Sequence, residues 1–149
     1  MKQSLAWFAA WFAMMAWLGV IPAAHALTRA QARALAVTVA RHEGIPVTDE
    51  HIEIDTMDVG APYLPGFASF LVLRESTTPG PDTTLARYAV NRRSGNVWEM
   101  TECRRYDFPA LKALRKRLTG HATASRAADA AERKALGCDA PAKSATAQR

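Results

Sequence analysis

Three apolar runs joined by two short polar links limit what this chain can build. FASFLVLR (67–74), LARYAV (85–90) and VWEM (97–100) are separated by STTPGPD (76–82) and NRRSGN (91–96). A parallel crossover needs about a dozen residues or more, so links of this length leave only antiparallel neighbours. FASFLVLR is apolar at both alternating sets of positions, which suits the centre of a sheet covered on at least one side. In NRRSGN, Gly95 stands where a tight turn needs a positive φ. Upstream, HIEIDTMDV (51–59) alternates Ile52 and Ile54 and then changes phase to Met57 and Val59, which predicts a strand with a bulge near Thr56. GAPYLPGF (60–67) contains two prolines and two glycines and must be a loop as far as Phe67.

Helical signals flank this four-stranded meander. Thr28 and Gln31 make a capping box ahead of Ala32, Leu35, Ala36 and Val39, and Gly44 with Ile45-Pro46 supplies a stop, so a helix is expected over about 29–43. Asp107 offers an N-cap, Pro109 fits the first turn, and Leu111, Leu114 and Leu118 share one face before Gly120, giving a helix over about 108–119. From Thr123 to Leu136, Ala127, Ala128, Ala131 and Ala135 form a low-volume face between charges, a helix marginal by itself. The expected fold class is α+β: an N-terminal helix packed on a four-stranded antiparallel meander, followed by two C-terminal helices.

Residues 1–26 have a different character. Lys2 precedes an uncharged apolar run from Leu5 to Ile21, and Ala24 and Ala26 flank His25, the pattern of a secretory signal cut after Ala26. The run is shorter than the ~20 apolar residues that span a bilayer comfortably, which favours cleavage over the alternative of an uncleaved anchor, and after cleavage no stable membrane insertion is expected. Three of the four tryptophans lie in this segment, leaving Trp98. The remaining 123 residues suit one domain, 27–138, with a disordered tail over 139–149. They hold 18 basic and 14 acidic residues, a net +4 that is too modest for a nucleic-acid binder. A periplasmic or secreted location favours pairing the two cysteines, Cys103 and Cys138.

The hairpin residues Tyr88, Val90, Gly95 and Val97, set after a helix and a meander, resemble the corresponding pattern in small exported PepSY-like domains. A similar hairpin occurs in NTF2-fold immunity proteins. The resemblance covers about residues 28–103, and the short helix-to-strand link and the C-terminal helical pair depart from it. It implies binding or inhibition more than catalysis.

No catalytic constellation, cofactor motif or metal spacing stands out. His42, Glu43, His51 and Glu53 straddle a helix end and a strand start, and Ile52 and Ile54 interrupt the acids that would otherwise suggest a calcium loop. Binding features are better defined. Pro62 and Pro65 stiffen the loop around Tyr63 and Leu64, with Phe67 at its end. Arg92 and Arg93 sit at the hairpin tip. Lys112, Arg115, Lys116 and Arg117 are expected opposite the leucine face of their helix, in solvent. Charge is uneven too: residues 42–73 hold six acids and no Lys or Arg, whereas 104–134 hold nine bases and three acids.

These features favour an exported binding protein, an inhibitor or immunity-type partner of an envelope or secreted protein that acts by occlusion. An anionic envelope polymer is a second class of partner. An envelope enzyme acting on a glycan through dispersed carboxylates such as Glu53 and Asp55, on one strand face, is an alternative. A structural accessory domain is another.

Overall fold

The computed structural model describes residues 26–58, 60, 62–120 and 126–138. The expected signal segment and the tail over 139–149 therefore lie outside the described residues, apart from Ala26. The elements run α1 (Arg29–His42), β1 (Ile52–Thr56), β2 (Phe67–Arg74), β3 (Thr83–Asn91), β4 (Val97–Glu99), β5 (Arg104–Arg105), α2 (Pro109–Thr119) and α3 (Arg126–Ala135). All strands pair antiparallel in sequence order, so the sheet is a plain meander. It has five strands, one more than expected. β5 is two arginines paired with Trp98 and Glu99, too short and too charged to leave a hydrophobic pattern.

The α1 capping box forms as read: Gln31 N–H donates to Thr28 Oγ1 at 3.2 Å, and Thr28 N–H donates to Gln31 Oε1 at 2.9 Å. Leu35, Ala36 and Val39 of α1 are buried in one cluster with Phe70, Val72 and Val90 from the sheet. Leu111 of α2 joins the same core. On the sheet's other face a smaller cluster of Phe67, Ala89 and Trp98 forms beneath Leu64, Met100 and Leu136.

Three local expectations are corrected. The bulge falls in β3 instead of near Thr56: Val72 pairs with Ala86 and Leu73 with Thr84, leaving Leu85 between them. β1 simply ends at Thr56, where the chain turns toward the loop. The N-cap of α2 is Phe108 and not Asp107, whose carboxylate is taken by Arg105, Lys112 and Arg115. The alanine face of α3 points largely outward; the helix is held through Glu132, its one buried residue. Beyond it, Cys138 bonds Cys103 with Cα atoms 5.6 Å apart, the pairing expected for an oxidising compartment.

Candidate functional site

The loop between β1 and β2 is built around one carboxylate. Asp58, nearly buried, accepts the Tyr63 N–H at 2.9 Å on one oxygen and the Ser69 N–H at 3.3 Å on the other. Both ends of the turn are thereby pinned. Phe67 N–H closes it further on the Leu64 carbonyl at 3.1 Å. Gly66 takes φ +80°, a conformation that favours glycine, and its carbonyl accepts the Arg92 N–H at 3.0 Å. Tyr63 stands out with 57% of its surface exposed.

Arg92 ties this loop to the start of the fold. Its carbonyl accepts the Leu27 N–H at 2.7 Å, and its Nε–H donates to the Leu27 carbonyl at 2.8 Å. Beside the loop lies a cleft of about 480 Å³ lined by Arg29, Asp58, Gly60, Pro62, Phe67, Ala68 and Arg92. Asp58 is already satisfied by backbone donors. Arg29 is exposed and makes no ion pair or side-chain hydrogen bond among the described residues. Two arginines thus line the cleft, and the loop beside it carries an exposed tyrosine, residue types that most often anchor protein interfaces.

The structure sorts the expected contact residues. It brings Tyr63, Arg92 and Arg93 to one end of the molecule, with Arg93 exposed at the hairpin tip. Leu64 turns inward as a partly buried wedge against the Phe67 and Trp98 cluster, and Phe67 is buried within that cluster. Arg115 is 0% exposed, which corrects its expected place in solvent. Its Nη1 donates to Asn96 Oδ1 at 2.8 Å and its Nη2 to Asp107 Oδ1 at 3.1 Å. Gly95 suits the close fit: at φ +72° a Cβ there would lie 3.0 Å from Arg115 Cγ and 3.1 Å from Thr119 Cγ2, so a larger turn residue would crowd the helix. Lys112 lies half in the same network, 3.2 Å from Asp107, and Lys116 and Arg117 are exposed without ion pairs among the described residues.

Arg29 and Asp58 were not legible as site residues. Asp58 follows the phase change after Ile54, a signal that the chain leaves the sheet there, but nothing local says which backbone groups its carboxylate meets. Glu53 and Asp55, the carboxylates of the enzyme alternative, are exposed on β1 and line neither of the two clefts described. No described helix is long and apolar enough to cross a membrane.

A comparison with curated proteins gives no match. Among solved structures, the chain is similar to one in the structure of a type VI secretion system effector-immunity complex from Pseudomonas protegens. The identity is 27% and the TM-score 0.66, over 76% of this chain and 91% of that one. Residues 44–86, which run from the end of α1 through β1, the Tyr63 loop and β2 into β3, match the family described as effector immunity protein Tgi2PP. Both likenesses support an immunity-type protein that binds a protein partner, and neither supports the PepSY-like half of the sequence resemblance or an envelope polymer as ligand.

Proposed function

We propose that this chain is an exported immunity protein that binds an effector of the type VI secretion class and blocks it by occlusion. The observation that carries this reading is the overlap of the family match with the Tyr63 loop: residues 44–86 contain the whole loop, and Tyr63 is its exposed tip. In the proposed complex Tyr63 enters the effector's cleft. Arg29 and Arg92 meet acceptors at its rim, and Arg93 with Lys116 steers the approach. The stiffness of the loop, from Pro62, Pro65 and the Asp58 clamp, reduces the entropy lost on docking.

The apolar leader and the disulfide support action in an oxidising compartment, the periplasm or outside the cell, with the mature chain starting at Leu27. The test is capture of a co-expressed effector by the tagged protein, followed by binding kinetics for Tyr63→Ala. Faster dissociation with an unchanged melting temperature is the expected result. Wild-type rates for Tyr63→Ala, in a variant that folds normally, exclude the loop as the binding element.

A further inference from the structure

A second cleft, of about 450 Å³, opens where α1 ends against β3, β4 and β5. Tyr88 lies in its floor, paired across the strands with Glu99. Glu43, Glu102, Arg104 and Tyr106 make up the walls, with the Tyr106 ring edge-on to Tyr88 at 6.2 Å. Arg104 is engaged on these walls. Its Nη2 donates to Glu43 at 3.0 Å and to the Tyr106 hydroxyl at 2.8 Å, and its Nε lies 3.4 Å from Glu102. Arg87 also borders the cleft, but strand alternation sends its side chain to the opposite sheet face from Tyr88.

That distribution leaves Glu99 without a cation. It is only 8% exposed, accepts the Glu102 backbone N–H at 2.5 Å, and forms no ion pair among the described residues. Tyr88 is 1% exposed, and its hydroxyl has no hydrogen-bond partner among the described residues. Among the described residues the buried side-chain oxygen left without a hydrogen bond is Ser69 Oγ, so the Tyr88 hydroxyl and the Glu99 carboxylate both keep access to the same opening, where a donor from outside can reach them. Burial first, then Tyr106, Glu43 and Glu99, push the Tyr88 hydroxyl up, so it stays neutral and keeps lone pairs to accept with. Among the described residues, no three carboxylate, histidine or cysteine groups are placed to hold a metal ion.

We infer that this cleft receives one lysine or arginine side chain of the protein partner, its cationic head pairing with Glu99 and donating to the Tyr88 hydroxyl. The cleft is wide enough to admit one extended side chain along with water. The partner's identity rests on the immunity reading above, but the chemistry of the cleft does not. It is therefore tested first without an effector, by titrating ¹⁵N-labelled protein with N-acetyl-lysine methylamide and N-acetyl-arginine methylamide. N-acetyl-norleucine methylamide serves as the uncharged control. Saturable shifts confined to the amides of Glu99, Glu102 and Arg104 are expected. They should be lost in Glu99→Gln, which keeps an acceptor for Glu102, and weakened in Tyr88→Phe, which keeps the ring. They should persist in Glu50→Gln, which removes a charge on the open surface.

Shifts that do not saturate, or that survive Glu99→Gln, overturn the proposal. With the effector, Glu99→Gln should weaken affinity by roughly tenfold or more, as for a desolvated charge pair that loses one member. Cationic probes bound at the cleft with no effector captured would leave the cleft standing and the immunity reading refuted. An effector bound equally well by wild type and Glu99→Gln would do the reverse.

Discussion

Arg115 holds three segments together: α2, which carries it, the hairpin turn through Asn96, and the link into α2 through Asp107. Its removal leaves the buried Asn96 Oδ1 without that donor and opens a cavity between helix and turn, while Asp107 keeps Lys112 and Arg105. Arg115→Ala should therefore cost about 2–4 kcal/mol in a urea titration, and Lys116→Ala, on the exposed side of the same helix, within about 0.5 kcal/mol of zero. Asp107 answers to the same network. Burial alone would raise its carboxyl, but hydrogen bonds from Lys112 and Arg115 and the charges of Lys112 and Arg105 outweigh it and hold it below the usual range. A depressed folded-state value means that this contribution is present above the unfolded pKa of about 4 and is lost as pH falls through the folded one. Melting temperatures taken down an acid series should fall less steeply for Asp107→Asn than for wild type, from a lower starting value at neutral pH.

At the scale of elements, α3 is the weakest attachment. Glu132 accepts from Trp98 Nε1 at 2.8 Å, Asn96 Nδ2 at 3.0 Å and Ser94 Oγ at 2.6 Å, and the disulfide fastens the chain three residues past the helix end. The exposed alanines add little. Cys103→Ser with Cys138→Ser should lower stability by roughly 3–4 kcal/mol on the chain-entropy model. Limited trypsin digestion followed by mass spectrometry should then show cleavage at Arg133 and Lys134 before any in the sheet. Trp98 joins this helix to the second core. Trp98→Ala should cost about 3 kcal/mol or more, through the lost packing against Phe67 and Ala89 and one lost hydrogen bond to Glu132, which keeps Asn96 and Ser94. An unchanged melting temperature for that variant would mean the indole packs more loosely than its burial implies.

For the molecule as a whole, the proposed binding end gathers the loop, the hairpin tip and the start of α1 around Arg92. Tyr63→Ala should weaken effector binding by about 2 kcal/mol, almost entirely through dissociation. Lys116→Ala should chiefly slow association at low salt, the signature of a rim charge. Leu27 is buried and hydrogen-bonded to Arg92 in both directions, so the described fold engages its first core residue directly after the expected cleavage site. Mass analysis of exported protein should give a chain beginning at Leu27.

What the sequence determined by itself was local or topological. Short links forced an antiparallel meander, the Thr28 and Gln31 pair started α1, and Gly95 marked the tight turn. The prolines around Tyr63 marked a stiff loop, and its exposed tip is where the structure presents an aromatic. Only the tertiary structure decided which charged groups face water. Arg115 and Lys116 are neighbours in a run of bases, yet one is inside and one outside, because Asn96 and Asp107 approach one helix face from 19 and 8 residues away in sequence. Glu132, on an alanine helix, is buried because Trp98 brings an N–H to it from 34 residues away. Asp58 and Glu99 acquire their roles likewise from backbone groups and neighbours assembled by the sheet. A side chain's periodicity tells which face it shares, but burial of a charge depends on partners that no local pattern encodes.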